Sequence, residues 1–305
     1  MFEKNILLEK LYNYLDRKNI ELDVPMKEHT TFKLGGKAEV FVSPENYEQV
    51  RACLKCCIEN NTPYFVLGKG SNLLVRDGGF HGVVINLKKL DKCRVEGKCV
   101  IAQGGATLIR TAMMAADNSL KNLEFASGIP GSVGGAIAMN AGAYGGEMSH
   151  VVKSIKVIDE NMEIRDLCLQ EIDFSYRNSI VLRKSYIVLE CTFELEKGNE
   201  IEIKDRIKDL TRRRIEKQPL EKPSAGSTFK RPQGMFAGKL IEDTGLKGYS
   251  IGDAQVSEKH SNFLVNNGNA TTADILKLIE HIQKEVYNKF KVNLETEVRI
   301  IGDDN

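Results

Sequence analysis

The spacing of apolar and polar residues predicts a chain that mixes helices and strands. Near the N-terminus, at 1–25, apolar residues recur at helical spacing among alternating charges, which predicts an amphipathic helix and not a signal sequence. Short β-branched runs further on predict strands, and longer periodic runs predict helices. The strands are predicted at 38–42, 64–67, 83–87, 100–102, 151–159, 163–167 and 185–195, and the helices at 45–60 and 107–116.

A second periodic region follows residue 198. Ile203, Ile207 and Leu210 mark the apolar face of a charged helix, and a loop at 218–226 carries two prolines and a glycine. Thr271 and Asp274 form a capping-box pattern that predicts the start of another helix. The chain is expected to end on a strand at 295–301. We therefore predict an N-terminal helix and lead-in at 1–30, a glycine-rich α+β domain at 31–198 and a smaller α/β domain at 199–305.

Composition and charge exclude several classes of protein. The 305 residues carry a net charge of +1, which argues against a partner of duplex nucleic acid. The absence of a long apolar run predicts no membrane insertion, so we expect a cytoplasmic protein. The odd count of seven cysteines predicts reduced thiols. Cys53 and Cys56 form a CxxC pair, but the chain has no second pair and this one lies in a predicted helix, so we expect partly buried helix thiols and no metal site.

Two glycine-rich segments are candidates for binding an anion. In 68–72 (GKGSN), glycines after an apolar strand let backbone N–H groups converge on a phosphate. The segment is not a dinucleotide fingerprint, because Leu73 stands where the third glycine belongs, and a turn without a ligand remains the alternative. The segment 127–145 is long, consists mostly of small residues and carries almost no charge. This composition suits either a loop pressed against a planar ligand or a tightly packed turn.

Several motifs, in order, resemble those of the UDP-N-acetylenolpyruvoylglucosamine reductase family. The matching segments are 31–36 (TFKLGG), 67–74 (LGKGSNLL), 128–135 (GIPGSVGG), 140–144 (NAGAY), 176–179 (YRNS), 225–230 (AGSTFK) and 294–299 (LETEVR). The resemblance runs from about residue 20 to about residue 302.

The resemblance implies an α+β fold of the p-cresol methylhydroxylase type, with two subdomains that bind FAD non-covalently, followed by a substrate domain. NADPH would be the co-substrate. The flavin would then reduce the enolpyruvyl ether of UDP-N-acetylglucosamine to UDP-N-acetylmuramate. The residues expected to bind the cofactor are Gly68, Lys69, Gly70, Ser71, Asn72, Leu73, Gly128, Gly131, Ser132, Gly134 and Asn140.

The chemistry needs an anion stabiliser and a proton donor, because hydride addition to an enolpyruvyl group leaves negative charge beside a carboxylate. The resemblance implies that Ser227 donates the proton, that Arg177 holds the carboxylate and that Glu297 stabilises the enol, in a protonated form if a neighbouring carboxylate raises its pKa. From the residues alone, a simple turn residue is the favoured interpretation of Ser227, and Arg177 and Glu297 are equally explained as ordinary surface charges.

The substrate is expected to contact a further set of residues, although a solvated helix face explains the arginines and lysine near 212–217 as well. The candidates are Tyr176, Arg213, Arg214, Lys217, Lys230 and Arg299. Alternation along a strand would place Glu297 and Arg299 on one face. The family often has proline at position 296, where this chain has Thr296, and the short stretch from Arg177 to Ser227 resembles the class without a substrate-covering tyrosine loop. An oxidase of the same fold and a non-catalytic flavin-binding module remain alternatives.

Overall fold

The computed structural model describes residues 3–304. Its α-helices are α1 (Lys4–Tyr12), α2 (Tyr47–Glu59), α3 (Leu108–Asp117), α4 (Val133–Ala138), α5 (Leu169–Ile172), α6 (Ile180–Arg183), α7 (Glu200–Lys217), α8 (Ala237–Asp243) and α9 (Thr272–Phe290). Its strands are β1 (Ile20–Pro25), β2 (Lys37–Val42), β3 (Tyr64–Leu67), β4 (Leu73–Val75), β5 (Phe80–Asn86), β6 (Cys93–Glu96), β7 (Cys99–Gln103), β8 (Leu120–Lys121), β9 (Gly142–Ala143), β10 (Gly146–Glu147), β11 (Val152–Ile158), β12 (Ile164–Cys168), β13 (Ile187–Glu194), β14 (Glu196–Lys197), β15 (Ser250–Ile251), β16 (Ala254–Val256), β17 (Leu264–Asn266) and β18 (Arg299–Ile301).

The chain divides into two compact units that are discontinuous in sequence. The first unit comprises 1–22, 40–69 and 82–213, and the second comprises 23–39, 70–81 and 214–305. The domain boundaries predicted at residues 30 and 198 separate expected functions and not compact units. They stay a prediction.

The two largest hydrophobic cores of the described part of the first unit lie against its sheets. In one, α3 and α4 bury small apolar residues against the antiparallel sheet β12–β11–β13–β7–β6. In the other, α1 and α2 cover strands of a second sheet, ordered β1–β2–β5–β3, most of which lies in this unit. Leu7 and Leu11 lie one turn apart on α1, and Val50 and Cys53 lie about one turn apart on α2. Each of these two helices therefore packs a single apolar stripe into the second core.

The cysteines of α2 are part of the second core, as the sequence predicts. Cys53, Cys56 and Cys57 are at most 3% exposed. Burial raises the pKa of Cys57 to about 12, so its thiol stays protonated and unreactive at neutral pH. Among residues 3–304, no cluster of histidine, cysteine and acidic side chains has the arrangement of a metal site. No helix within that range is both long and apolar enough to cross a membrane.

The second unit is built around α9. Its apolar stripe, which includes Ile275, Ile279 and Ile282, packs into a core with the antiparallel sheet β15–β16–β17. The predicted capping box is present, since Thr271 and Asp274 satisfy each other's backbone N–H groups. In the same unit, β18 pairs in parallel with β4, which precedes it by more than two hundred residues.

Most predicted elements are present within one to three residues of their predicted ends. The helix predicted at 1–25 is wrong in its extent, because α1 ends at Tyr12 and Ile20–Pro25 forms β1. The final strand is also shorter than expected. The chain bends at Val298, and β18 begins only at Arg299. Before the bend, Thr296 forms an antiparallel bridge with Phe229, whereas β18 pairs with β4. Because the segment changes partners, regular alternation does not run from 295 to 301, and the shared face inferred for Glu297 and Arg299 does not follow.

Candidate functional site

The first glycine-rich segment follows β3. A Cβ atom on Gly68 would lie 2.1 Å from the hydroxyl of Ser132, so only glycine allows this approach within the first unit. Lys69, the next residue, is exposed. Within residues 3–304, the N–H groups of Lys69, Gly70 and Ser71 donate to no backbone carbonyl. Small residues and N–H groups without backbone acceptors are what a phosphate-bearing ligand needs.

The second glycine-rich segment is fixed by internal hydrogen bonds. Ser132 caps α4 by accepting from the N–H of Gly135. Gly131 accepts from Leu108, and Gly134 donates to Gly104 at 2.8 Å. Gly128, Gly131 and Gly134 are half-buried. The segment therefore presents a rigid surface of small residues, although the N–H of Gly134 is already used within the fold.

Asn140 organises the turn that follows this segment. Its amide donates to Glu147 Oε1 at 3.1 Å and to the carbonyl of Ser175 at 3.3 Å, and its oxygen accepts from the N–H of Ser149 at 3.0 Å. The residue is 2% exposed. Its side chain is thus engaged inside the first unit, where it ties the β9–β10 hairpin to the segment that carries Arg177.

Arg177 lies at the tip of a tight turn. Ser175 and Asn178 bond each other through their backbones, so Tyr176 and Arg177 occupy the two central positions. Arg177 has a φ of +54°, a left-handed conformation that is unfavourable for a side chain with a Cβ. Its guanidinium carbon is 5.2 Å from the centre of the Tyr176 ring. The fold thus holds an arginine where glycine would be more relaxed.

Glu147 is predicted to make the stability of the first unit depend on pH. Hydrogen bonds from Ser149 and then Asn140, together with the charges of His150 and Arg177, lower the pKa of Glu147, and they outweigh the opposing effect of burial. A folded-state pKa below the unfolded value of 4.5 means that Glu147 stabilises the fold above that pH, and that this contribution is lost as the pH falls through the folded pKa.

We expect Glu147→Gln to flatten the loss of unfolding free energy below about pH 4.5, measured by denaturant titration at several pH values. Glu202→Gln, on the exposed face of α7, is the control and should follow the parent protein. Parallel curves for the parent and Glu147→Gln would show that the hydrogen bonds to this carboxylate do not contribute.

Ser227 lies in the second unit at the start of a short extended segment. Gly226 precedes it with a φ of +75°, and nothing lies within 4 Å of where a Cβ on Gly226 would be. Ser227 pairs with Phe263, and the next N–H, that of Thr228, donates to the carbonyl of Asn262 at 2.7 Å. The serine is half-buried beside an open approach.

Glu297 is bonded to the same segment. Its N–H donates to the carbonyl of Thr228 at 2.8 Å, and its own carbonyl accepts from the amide of Asn72 at 3.0 Å. Asn72 in turn accepts from the N–H of Arg299, and it precedes Leu73, the buried first residue of β4. The structure therefore brings together Ser227, Glu297 and Asn72, which are far apart along the chain. Arg177, by contrast, belongs to the first unit.

The predicted substrate contacts have varied surroundings. Lys230 pairs with Glu295 at 3.1 Å, and Arg213, near the end of α7, pairs with Asp209 at 2.8 Å. Tyr176 is 53% exposed. Arg214 is half-buried, and Lys217 and Arg299 are exposed.

Two supporting residues, Glu147 and Asn262, escaped the sequence-based prediction. Asn262 bonds the backbone of Phe229 through both polar atoms of its side chain. A bond from a side chain to a backbone 33 residues away leaves no periodic signal in one sequence.

Two family models match the chain. One, described as an FAD binding domain, matches residues 38–167, and the other, described as the C-terminal domain of UDP-N-acetylenolpyruvoylglucosamine reductase, matches residues 218–301. A UDP-N-acetylenolpyruvoylglucosamine reductase from Clostridium perfringens (strain SM101 / Type A) is 58% identical over 298 residues, or 98% of this chain and 97% of that protein. The reductase of Clostridium novyi (strain NT) is 56% identical over 297 residues, or 97% of each chain.

Solved structures show a likeness to the same family. The crystal structure of UDP-N-acetylenolpyruvylglucosamine reductase from Thermus caldophilus has 34% sequence identity to this chain and a TM-score of 0.79, and the match covers 92% of this chain and 97% of that one. A glucose dehydrogenase, Phl p 4.0202, is 12% identical with a TM-score of 0.51 and covers 94% of this chain and 59% of that one. The second likeness concerns the fold alone. The predicted α+β fold, of the p-cresol methylhydroxylase type, is confirmed.

Proposed function

This chain belongs to the UDP-N-acetylenolpyruvoylglucosamine reductase family, and from that premise we propose that Arg177, Ser227 and Glu297 carry its chemistry. The enzyme is an FAD-dependent oxidoreductase that uses NADPH to reduce the enolpyruvyl ether of UDP-N-acetylglucosamine to UDP-N-acetylmuramate, a step of peptidoglycan precursor synthesis. The observation that carries the assignment of residues is the hydrogen bond from Glu297 to the carbonyl of Thr228, the neighbour of Ser227.

FAD, once reduced by NADPH, supplies the hydride for the enolpyruvyl carbon C3. We propose that the loop 68–73 and the segment 128–134 hold it. The three N–H groups of the loop without backbone acceptors suit its pyrophosphate, and the close approach of Gly68 to Ser132 supplies a wall of small residues. Asn140, whose amide is engaged with Glu147 and Ser175, would contribute by fixing the turn that follows the segment 128–134.

Ser227 is the proposed proton donor to C2. Addition at C3 leaves electron density at C2, which is shared with the substrate carboxylate, and a carbon of that basicity can take a proton from a hydroxyl. The half-buried Ser227 leaves room for substrate on the side of Gly226, where nothing lies within 4 Å of the missing Cβ. Backbone bonds to Phe263 and Asn262 keep the serine in place.

Arg177 and Glu297 are proposed to stabilise the charge that develops on the substrate. The guanidinium of Arg177 offers a planar pair of donors that matches a carboxylate, and its fixed turn means that little motion is needed when charge appears. Glu297 would hydrogen-bond the enol oxygen from the irregular stretch before β18, whose backbone is bonded to Thr228. The remaining contacts to the nucleotide-sugar are assigned to Tyr176, Arg213, Arg214, Lys217, Lys230 and Arg299.

The soluble co-substrate NADPH favours the cytoplasm as the place of reaction, and neither a nucleic acid nor a membrane is proposed as a partner. One assay tests the function. Purified protein should show flavin absorbance, and its oxidation of NADPH should depend on the enolpyruvyl nucleotide-sugar. Oxidation of NADPH with oxygen uptake and without the sugar would point to an oxidase. A folded, colourless protein that binds no added FAD would contradict the proposal.

A further inference from the structure

We propose that Asn262 is a positioning residue for Ser227. Its side chain takes the place of a neighbouring strand and fixes the backbone from Ser227 to Lys230. The inference rests on the role proposed above for Ser227, and it adds a residue that does not itself touch the reacting atoms.

The contacts of Asn262 resemble those of a paired strand. Its Oδ1 accepts from the N–H of Phe229 at 3.0 Å, and its Nδ2 donates to the carbonyl of Phe229 at 2.9 Å. Its backbone carbonyl accepts from the N–H of Thr228 at 2.7 Å. An amide side chain has a donor and an acceptor side by side, so it satisfies both backbone groups of one residue.

These bonds lie where water cannot replace them easily. Phe229 is 1% exposed and Asn262 is 8% exposed. A buried backbone N–H and carbonyl without partners would be unfavourable, so the amide stabilises Phe229 in its observed conformation. On its other side, the segment is bonded to the last part of the chain, through Thr228 to Glu297 and through Lys230 to Glu295.

The bonds from Asn262 to Thr228 and Phe229 also influence the position of the Ser227 hydroxyl. Ser227 lies two residues before Phe229 and pairs with Phe263, the neighbour of Asn262. A displacement of about 1 Å in a reacting group can slow a reaction by roughly a hundredfold, so loosening the segment should be costly for proton donation. The amide of Asn262 is directed at Phe229, so any effect on Ser227 is carried by the backbone between them.

Asn266 provides a matched control. It is 4% exposed, belongs to the same unit and also bonds backbone groups: its amide donates to Phe32, and its oxygen accepts from Gly268 and Ala270. These partners lie outside the segment 227–230. Removing either asparagine side chain therefore leaves buried backbone groups without partners, but only Asn262 holds the segment of Ser227.

The experiment compares the holoenzyme with Asn262→Ala, Asn266→Ala and the double variant Asn262→Ala with Ser227→Ala. Stopped-flow absorbance measures flavin reduction by NADPH and, separately, flavin reoxidation by the enolpyruvyl nucleotide-sugar, and thermal unfolding gives Tm. We expect Asn262→Ala to slow reoxidation by about tenfold to a hundredfold and to leave reduction within about twofold of the parent. Asn266→Ala should lower Tm and change neither rate.

The double variant distinguishes positioning from a general loss of structure. If Asn262 acts through Ser227, its removal adds no further slowing when the hydroxyl is already absent. Equal slowing of reduction and reoxidation in Asn262→Ala would overturn the inference while the role of Ser227 stands. So would a double variant whose reoxidation is slower than that of Ser227→Ala by the whole factor seen in Asn262→Ala. Unimpaired reoxidation in Ser227→Ala alone would overturn the proposed donor and the inference with it.

Asn262→Asp adds a pH signature and replaces the alanine variant if that one does not fold. A protonated carboxyl can both donate to and accept from Phe229, as the amide does, whereas a carboxylate cannot donate. Reoxidation by this variant, relative to the parent at each pH, should therefore recover as the pH falls through the pKa of the new carboxyl. A pH-independent ratio would count against the inference.

Discussion

Replacing Ser227 by alanine is expected to leave flavin reduction by NADPH intact and to slow flavin reoxidation by the substrate by roughly a hundredfold to ten-thousandfold. That range is the usual contribution of a positioned general acid. The substitution removes a single oxygen from a half-buried side chain whose backbone bonds, to Phe263 and Asn262, do not involve the hydroxyl. Stability should therefore change by less than about 0.5 kcal/mol.

Stopped-flow spectroscopy separates the two half-reactions. Changes in the flavin spectrum of the oxidised enzyme measure substrate binding and show that the site is still formed. Ser224→Ala, three positions earlier in the same loop, is the control and should behave as the parent. Reoxidation at the parent rate in Ser227→Ala would remove Ser227 from the donor role.

Replacing Arg177 by glycine is expected to uncouple activity from stability. Relaxing the left-handed residue at φ +54° should recover about 1 kcal/mol of strain, and the greater freedom of glycine in the unfolded chain should cost a similar amount. The guanidinium also faces the Tyr176 ring and attracts the Glu147 carboxylate, and losing these contacts adds a small cost. Tm should therefore fall by no more than about 4 °C from the parent value. Reoxidation by the substrate should fall by at least about a hundredfold, since the donors that stabilise the developing charge are lost.

Arg177→Lys sharpens this test, because it keeps the charge and the strain but loses the planar pair of donors. We expect it to bind substrate better than Arg177→Gly and to remain far slower than the parent. Differential scanning calorimetry and the two half-reactions give all the required quantities. A glycine variant that turns over normally would contradict the role proposed for Arg177, and one that is much less stable would contradict the strain inferred at this turn.

Local signals in the sequence predicted much of the fold. The stripe of α9, its capping box and the strands of the β11–β13 meander each follow from residues close together in the chain. Strand β4 and the bend at Val298 could not be predicted in the same way. Both depend on a parallel pairing of Leu73 with Arg299, and the sequence contains no periodic trace of a contact over that separation.

The candidate site shows the same limit. Gly68 and Ser132 could be recognised as loop residues because glycine and serine are typical of anion-binding turns. The resemblance of motifs predicted that Arg177, Ser227 and Glu297 act together. The bonds that join Asn72 to Glu297, and Glu297 to the neighbour of Ser227, are seen only in the structure. The support given by Asn262 and Glu147 is invisible in the sequence, because polar side chains that bond distant groups have no preferred interval.

The pairing of β4 with β18 also constrains the order in which the protein can mature during its synthesis. Leu73 leaves the ribosome long before Arg299, its partner. At about 5–20 residues per second, translation of the intervening chain takes roughly ten to forty-five seconds. Throughout that interval β4 lacks this neighbour, and the nascent chain must be kept from joining a wrong strand edge. Native packing of the second unit, which contains Ser227, is therefore a late event, completed only when β18 emerges.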